Sequence, residues 1–571
     1  MNVQELYKLW LEKAVEDVDL QTELKSVDGD DHEINDRFYR SLAFGTGGLR
    51  GVIGAGTNRL NIYTIRRATQ GLADYVNEAF ENPSVAIAYD SRIKSDVFAQ
   101  NAAGVLAANG IKVYIYSELM PTPMLSFAVR ELKCNAGIVV TASHNPAKYN
   151  GYKVYGDDGC QMTLEAAEIV LNKINSVDMF EGVKISQFEE ALKSGMIEYI
   201  KQDVLEAYYN NVIAQGLNVE LCETSGLKVV YTPLNGAGNK PVRNILKRIG
   251  IKDVVVVTEQ ENPDGNFTTC PYPNPEITEA LSLGLKLCET EKPDLLLATD
   301  PDCDRVGIAV PSDDGYELFS GNEVGAMLLE YICSERTRQG TMPKDPVTVK
   351  TIVTTDLVRA IAKEYNVEVF EVLTGFKFIG EQIGFLEDKG EESRYIFGFE
   401  ESYGYLAGSY VRDKDAVVGS MLICEMAAFY RTKGISMIQA RENMYKKYGV
   451  YVHTQKSFTF EGKTGMEKMR EIMGGLRESS PAEIGGLKVT KISDYIKSIS
   501  VDMETGKQTQ ITLPKSDVLV FELTDGASAI IRPSGTEPKI KVYYTTTGAE
   551  KVSAEKLEAK ISEEFQRILG F

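Results

Sequence analysis

The fold class is indicated by three short runs rich in β-branched side chains: VAIAY (residues 85–89), KVYIY (112–116) and AGIVV (136–140). Each run has the length of a strand, and the segments between the runs are long enough for helices. Strands that alternate with helices are typical of a parallel α/β sheet. We therefore expect this part of the chain to form an α/β domain.

The same unit of strand, polar turn, helix and strand recurs twice further along the chain. Its strand-like runs are LKVVYT (227–232), VVVV (254–257), LLLAT (295–299), TVKTIV (348–353), VEVFEV (367–372) and YIFGF (395–399). The last part of the chain differs, because its runs alternate like half-buried antiparallel strands and precede an amphipathic helix. These segments are residues 517–523, 528–533, 539–546 and 554–569. The sequence predicts three similar α/β domains, residues 1–220, 221–325 and 326–455, and an α+β domain, residues 456–571.

Composition excludes several classes of protein. With 43% apolar and 25% charged residues, the 571-residue chain is expected to be globular, not disordered, collagen-like or coiled-coil. Its net charge of −20 disfavours binding to nucleic acid or anionic membranes. No apolar run approaches the roughly 18 residues of a membrane span, and the first residues do not resemble a basic and apolar leader. The eight cysteines show no paired spacing. We expect reduced thiols and a cytoplasmic location.

Three aspartates, Asp300, Asp302 and Asp304, directly follow the run LLLAT. In an extended backbone this spacing points all three carboxylates the same way, at the strand end where open α/β sheets bind ligands. Convergent oxygen ligands favour Mg²⁺, so we predict a metal site, with a solvated acidic loop as the alternative. A calcium EF-hand loop is excluded because Arg305 occupies its glycine position. Arg305 is itself a candidate for binding a substrate phosphate.

Ser143 lies in the segment TASHNP (141–146), directly after the run AGIVV. A hydroxyl at this end of a strand is placed like a nucleophile, although an ordinary surface turn has the same composition. Neighbouring side chains of an extended chain point to opposite faces, so we do not expect Ser143 and His144 to form a catalytic pair. Phosphoryl transfer suits this serine better, because that chemistry mainly needs positioning, a metal and cationic groups.

Other segments offer groups that bind anions or sugars. The Gly-rich turn GTGGLRG (45–51) has free amides and Arg50, and RPSGTEP (532–538) combines an arginine, two hydroxyls and a glycine amide. Glu400 and Ser402 follow YIFGF and could accept hydrogen bonds from sugar hydroxyls. The alternatives are a hairpin loop for 532–538 and unpaired surface acids at 400–401. Three lysines are proton donors, phosphate partners or simply solvated: Lys153, Lys377 and Lys414.

Four motifs occur in a fixed order, one in each predicted domain, and span almost the whole chain. They are TASHNP (141–146), DPDCDR (300–305), GFEESYG (398–404) and RPSGTEP (532–538). In this combination the chain resembles the α-D-phosphohexomutase superfamily. The resemblance implies three tandem α/β domains with mixed sheets and a C-terminal α+β domain, in a heart shape around a central cleft.

The resemblance also implies roles for individual residues. Ser143 would be phosphorylated, with His144 beside it, and would complete a Mg²⁺ site with Asp300, Asp302 and Asp304. Arg50 would stabilise the transferring phosphoryl group, and Lys153 and Lys414 would be general acids and bases. The implied sugar contacts are Thr374, Gly375, Lys377, Glu400 and Ser402. The implied phosphate-binding residues are Arg532, Ser534, Gly535 and Thr536.

The implied activity is the interconversion of α-D-glucose 1-phosphate and glucose 6-phosphate, through a phosphoserine enzyme and glucose 1,6-bisphosphate. Residues 402–404 (SYG) are closer to the glucose branch of the superfamily than to the branch that also accepts mannose phosphates. The alternatives are a mutase for mannose or pentose phosphates, a sugar-phosphate phosphohydrolase, and a catalytically silent sugar-phosphate-binding protein. The preferred sugar and the oligomeric state, monomer or dimer, stay open.

Overall fold

A computed structural model describes residues 1–45, 47–460, 463–533 and 539–570. The chain forms two compact units. The first contains residues 1–321, 379–398 and 402–434, and the second contains residues 322–378, 399–401 and 435–571. No helix in the described ranges is both long and apolar enough to cross a membrane.

The first sheet follows three N-terminal helices and is mostly parallel. The elements are α1 (Val3–Lys13), α2 (Val18–Ser26), α3 (Asp31–Phe38), β1 (Gly48–Val52), α4 (Ile62–Ala79), β2 (Ser84–Tyr89), α5 (Ser95–Ala108), β3 (Lys112–Ile115), α6 (Thr122–Glu131), β4 (Ala136–Val140), β5 (Tyr149–Gly156), α7 (Leu164–Ser176), α8 (Phe188–Lys193), β6 (Ile197–Tyr199), α9 (Gln202–Ile213) and α10 (Glu220–Thr224). The strand order is β1-β5-β4-β2-β3-β6, in which β1 and β5 run antiparallel to their neighbours. The β5 strand therefore lies beside β4, which leads into the segment with Ser143.

The second sheet has five strands, and its central strand is fully buried. Its elements are β7 (Lys228–Thr232), α11 (Asn239–Arg248), β8 (Asp253–Val256), α12 (Thr258–Glu261), α13 (Thr278–Glu291), β9 (Leu295–Thr299), β10 (Val306–Ser312) and β11 (Gly315–Phe319). The order is β11-β10-β9-β7-β8, with β7, β8 and β9 parallel and β10 and β11 forming an antiparallel hairpin. All five residues of β9 are buried, which explains its apolar composition. This strand ends directly before Asp300.

The third sheet has four strands in the order β13-β12-β14-β15. Its elements are α14 (Gly321–Gln339), β12 (Val347–Thr351), α15 (Leu357–Glu364), β13 (Glu368–Val372), α16 (Phe376–Glu387), a 3-10 turn (Glu392–Arg394), β14 (Tyr395–Glu400), β15 (Gly404–Leu406), α17 (Ala416–Thr432) and α18 (Met437–Tyr448). Strands β12 and β13 pair in parallel. Glu400 is the last residue of β14.

The C-terminal sheet is antiparallel. Its elements are β16 (Val450–Thr459), α19 (Lys463–Glu478), β17 (Glu483–Ile484), β18 (Leu487–Asp494), β19 (Ile499–Asp502), β20 (Gln508–Gln510), β21 (Leu519–Leu523), a 3-10 turn (Thr524–Gly526), β22 (Ser528–Pro533), β23 (Lys539–Gly548) and α20 (Lys551–Leu569). The order is β16-β23-β22-β21-β18-β19-β20, and β17 pairs with β18. Phe565 of α20 packs edge to face on Phe521 and Tyr544 of the sheet.

The predicted fold class of three α/β segments followed by an α+β segment is confirmed, and each strand-like run coincides with a strand. The prediction of a Gly-rich turn at residues 45–51 is wrong in its second half, because Gly48–Val52 forms β1 and pairs with β5. A Cβ at Gly48 would lie 2.3 Å from the carbonyl oxygen of Tyr152, so the missing side chain permits this close pairing. Strand β16 was not anticipated. The domain boundaries and the heart shape stay predictions.

Candidate active site

The three aspartates of the DPDCDR motif converge in the turn between β9 and β10. One carboxylate oxygen of each lies within 4.8 Å of those of the other two, and all three side chains are buried. The expected convergence is present, but its cause is not an extended strand. The residues form a turn in which Cys303 has a left-handed φ of 52°, and the amides of Asp304 and Arg305 donate to Asp300 Oδ1 at 3.1 and 3.0 Å.

Two oxygens of this cluster suit a cation. Among the described residues, Asp302 Oδ1 and Asp304 Oδ1 are buried and accept no hydrogen bond. Buried polar atoms without partners are costly, whereas a divalent cation would satisfy both. Burial raises the pKa of Asp300 well above its usual range, and the charges of Asp302 and Asp304 raise it further. The three carboxylates therefore do not all ionise readily unless a cation joins them.

Ser143 lies at the same place. Its Oγ donates a 2.8 Å hydrogen bond to Asp300 Oδ2, and the residue is buried. Its φ of 52° is left-handed. For this reason the expectation that Ser143 and His144 point to opposite faces is wrong, since that rule applies to extended backbone. His144 Nδ1 lies 3.2 Å from Ser143 Oγ.

Two lysines contact the aspartates. Lys153 Nζ, on β5, lies 3.0 Å from Asp302 Oδ2 and 3.8 Å from Asp304 Oδ2. Lys414 Nζ lies 3.1 Å from Asp304 Oδ2 and 3.0 Å from Asp413 Oδ1. Burial alone would lower the pKa of Lys153, but the charges of Asp302 and Asp304 outweigh it and raise that pKa. Lys153 is therefore protonated at neutral pH.

The two predicted arginines of this region differ in their surroundings. Arg50 is exposed on β1, where it pairs with Gly151, two residues from Lys153 along β5. Arg305 forms an ion pair with Glu276, and its Nε lies 3.8 Å from Asp304 Oδ1. Arg50 and Lys153 thus lie on the paired strands β1 and β5.

The predicted sugar-binding residues of the second compact unit come together. The amide of Gly375 donates to Glu400 Oε1 at 2.9 Å, which joins two segments distant in sequence. Thr374 Oγ1 is buried and has no hydrogen-bond partner among the described residues. Lys377 Nζ lies 5.1 Å from the centre of the Phe378 ring. Such an arrangement leaves the Thr374 hydroxyl available to a ligand.

The remaining predicted positions are distributed differently. Ser402 is half-buried and belongs to the first compact unit. Arg532 lies on β22, is half-buried and pairs in register with Lys541 of β23. Three residues of the predicted phosphate loop lie outside the described residues: Ser534, Gly535 and Thr536.

Sequence reasoning missed several residues that support the site. Thr122, at the start of α6, donates from Oγ1 to Asp302 Oδ2 and from its amide to the Asp302 carbonyl, both at 2.9 Å. Tyr155 donates to Asp413 at 2.6 Å. Asp90 accepts a 2.7 Å hydrogen bond from Thr141. Only Asp90 had a usable signal, because it directly follows the run VAIAY just as Asp300 follows LLLAT.

Comparison with known proteins relates the whole chain to one family. Four family models match it in order: the phosphoglucomutase/phosphomannomutase alpha/beta/alpha domains I, II and III at residues 41–180, 206–314 and 320–448, and the C-terminal domain at residues 482–563. Together these models cover most of the chain.

Individual relatives agree with these matches. The chain is 38% identical over 543 residues to a phosphoglucomutase of Staphylococcus saprophyticus, covering 94% of this chain and 96% of the relative. It is 39% identical over 516 residues to a phosphoglucomutase of Staphylococcus aureus, covering 90% and 91%.

Solved structures share the fold at lower identity. The open form of pp63/parafusin, a phosphoglucomutase from Paramecium, has a TM-score of 0.69 at 17% identity and covers 93% of this chain and 96% of its own. A phosphoglucomutase/phosphomannomutase family protein from Burkholderia thailandensis has a TM-score of 0.66 at 18% identity, covering 92% and 96%. These two structures support the fold alone.

Proposed function

The chain belongs to the phosphoglucomutase/phosphomannomutase family, and we propose that it acts as a phosphoglucomutase, an isomerase that interconverts α-D-glucose 1-phosphate and glucose 6-phosphate. The observation that carries the proposal is the 2.8 Å hydrogen bond from Ser143 Oγ to Asp300 Oδ2. It joins the hydroxyl that would carry the phosphoryl group to a cluster of buried carboxylates. A serine in an ordinary surface turn has no need of such a partner.

The carboxylate cluster would hold Mg²⁺ through Asp300, Asp302 and Asp304, with Ser143 as the further ligand when phosphorylated. The two buried oxygens that accept no hydrogen bond in the described part of the chain, Asp302 Oδ1 and Asp304 Oδ1, support this assignment. When bound, Mg²⁺ would neutralise negative charge on a phosphoryl group held at Ser143.

Proton transfer is assigned to the two lysines. In the proposed reaction, the sugar hydroxyl that attacks phosphorylated Ser143 loses its proton, and the serine oxygen regains one when it is released. Lys153 and Lys414 lie beside the aspartates next to Ser143 and would carry these protons. His144, 3.2 Å from Ser143 Oγ, would orient the serine, and Arg50 would stabilise the charge of the transferring group.

Binding of the substrate is assigned to the remaining predicted residues. The hydroxyl groups of the sugar would be bound by five residues: Thr374, Gly375, Lys377, Glu400 and Ser402. Arg305 would be a further contact to the substrate. The phosphate that is not being transferred would bind a loop that comprises Arg532, Ser534, Gly535 and Thr536. Because glucose 1,6-bisphosphate must present each of its phosphates to Ser143 in turn, the enzyme needs this second phosphate site, and the bisphosphate would act as intermediate and activator.

The decisive experiment compares Ser143→Ala with Ser176→Ala, since Ser176 is an exposed serine at the end of α7. We expect Ser143→Ala to lose both turnover of glucose 1-phosphate and covalent phosphate from labelled glucose 1,6-bisphosphate, while Ser176→Ala keeps both. Undiminished turnover of Ser143→Ala would contradict the proposal. Release of inorganic phosphate faster than isomerisation would instead indicate a phosphohydrolase.

Substrate preference requires a direct comparison. We expect glucose 1-phosphate to turn over faster than mannose, N-acetylglucosamine and ribose 1-phosphates, each tested with a trace of its bisphosphate. We also propose a cytoplasmic location, which is supported by the eight cysteines, since all of them are buried and none forms a disulfide bond. Thiols in this state persist in a reducing compartment.

A further inference from the structure

A buried ion pair lies behind the segment that carries Ser143. Asp90 and Arg92 follow β2, their side chains are completely buried, and Arg92 Nε lies 3.3 Å from Asp90 Oδ2. The Arg92 guanidinium donates to the carbonyl oxygens of Pro146 at 3.1 Å and Tyr149 at 3.0 Å. It also donates to the carbonyl oxygens of Ser143 and Asn145. A single side chain thus binds three backbone carbonyls of the serine segment and one at the start of β5.

Asp90 reaches the serine by a second route. Its Oδ2 accepts a 2.7 Å hydrogen bond from Thr141 Oγ1, and its Oδ1 accepts from Ser95 Oγ at 2.8 Å. Thr141 Oγ1 in turn accepts the amide proton of Ser143 at 2.8 Å. Because the Thr141 hydroxyl donates its hydrogen bond to the Asp90 carboxylate, a lone pair of the hydroxyl oxygen is left to accept from the Ser143 amide. Both polar groups of the Ser143 backbone are therefore held, the carbonyl by Arg92 and the amide by Thr141.

The neighbouring α/β segment completes the enclosure of Arg92. The Arg92 guanidinium lies 5.0 Å from the centre of the Phe267 ring, which is itself fully buried. A Cβ at Gly265 would lie 2.7 Å from the amide of Ile93, so this loop is pressed against the residues that follow Arg92. The guanidinium lies between the serine segment and an aromatic ring from the second sheet's segment, in a cation–π contact.

From this geometry we propose that Asp90, Arg92 and Thr141 are positioning residues, which hold Ser143 in its left-handed conformation so that Oγ faces Asp300. A non-glycine residue adopts a φ of 52° only when its surroundings impose it. The hydrogen bonds to the amide and the carbonyl of Ser143 impose this conformation. The inference rests on the proposed role of Ser143 as phosphoryl carrier, and it adds that the network behind the serine sets the rate of phosphoryl transfer without contacting the sugar.

The cleanest test replaces Thr141, because two substitutions separate its hydroxyl from its size. Thr141→Val keeps the shape and removes the hydroxyl, whereas Thr141→Ser keeps the hydroxyl and removes a methyl group. A displacement of about 1 Å at a reacting group costs on the order of 100-fold in rate. We expect Thr141→Val to lower kcat about 100-fold with KM for glucose 1-phosphate changed less than about threefold, and Thr141→Ser to keep most of the rate.

A second pair of variants keeps the inference testable if Thr141→Val folds poorly. Arg92→Lys keeps the charge but loses the planar fork. Arg67→Lys is its matched control, since Arg67 also donates to a backbone carbonyl, that of Val177 at 2.9 Å, at the end of α7 and not in the serine segment. We expect Arg92→Lys to slow the phosphorylation of Ser143 by glucose 1,6-bisphosphate, followed by intact-protein mass spectrometry, and Arg67→Lys to leave it unchanged.

The outcomes distinguish this inference from the proposed function. If Ser143→Ala is inactive while Thr141→Val and Arg92→Lys phosphorylate Ser143 at the wild-type rate, the positioning role is overturned and the proposed function stands. Equal losses in Thr141→Val and Thr141→Ser would also overturn it, because the hydroxyl would then be irrelevant. If Ser143→Ala is fully active, the proposed function is wrong, and the positioning role that rests on it is wrong as well.

Discussion

Gly404, the first residue of β15, leaves the space in which the Lys414 side chain lies. A Cβ built at Gly404 would be 2.1 Å from Lys414 Cδ and 2.6 Å from its Cγ. The φ of Gly404 is not in the left-handed region, so the backbone itself accepts alanine. Gly404→Ala therefore acts on the position of Lys414 rather than on the chain trace.

The magnitude follows from the displacement. An ordinary contact begins at 3.4 Å, so Lys414 Cδ must move by about 1.3 Å. Its Nζ now lies 3.1 Å from Asp304 Oδ2 and 3.0 Å from Asp413 Oδ1, and a shift of that size breaks both contacts. If Lys414 transfers a proton in the reaction, a displacement of about 1 Å costs on the order of 100-fold in kcat.

The assay is steady-state turnover of glucose 1-phosphate, coupled to the oxidation of glucose 6-phosphate. The matched control is Gly384→Ala in α16, where a Cβ meets nothing within 4 Å. That control should keep full activity and gain about 0.5–1 kcal/mol of stability, because alanine is the better helix former. A Gly404→Ala enzyme with wild-type kcat and an unaltered melting temperature would refute the assigned role of Lys414 or its dependence on this geometry.

Two further predictions concern a ligand and a proton. Mg²⁺ at a hundred times its Kd should stabilise the metal-free protein by about 2.7 kcal/mol. In a thermal-shift assay, Asp302→Asn should remove this gain, whereas Asp157→Asn, at an exposed aspartate, should keep it. Equal shifts in both variants would argue against the metal site. Burial lowers the pKa of His453 from 6.5 to about 4, so the unfolded chain binds the proton more readily and stability falls as the pH drops from 6.5 towards 4. Between pH 6.5 and 4, the free energy of unfolding of His453→Gln, measured by chemical denaturation, should fall by up to about 3 kcal/mol less than that of the wild type. Parallel pH profiles of the two proteins would contradict this prediction.

The strands show how much of the fold is legible in the chain. Runs such as LLLAT and AGIVV are continuous and apolar because both faces of their strands are buried, and this burial leaves a composition that can be read directly. The sequence of strand β1 has no recognisable pattern, because Gly48 and Gly51 have no side chains. The pairing of β1 with β5 also depends on a distant segment of the chain. Strand β16 is mostly half-buried or exposed, so it lacks the apolar run as well.

The site divides in the same way. Ser143 and the three aspartates are predicted as site residues because their segments follow readable strands, and open α/β sheets bind ligands at the carboxyl ends of such strands. The two strands, β4 and β9, belong to different sheets, so this rule does not predict that the serine and the aspartates meet. The residue types at the ends of these strands are therefore legible in the sequence. Three features are visible only in the folded chain: the left-handed φ of Ser143, the turn in which the aspartates converge, and the contacts from Asp90, Arg92 and Thr122. The contacts from Asp90, Arg92 and Thr122 join residues far apart in the chain, which local spacing does not encode. The turn of the aspartates is held by short-range hydrogen bonds, but its backbone conformation departs from the extended one that the spacing suggests.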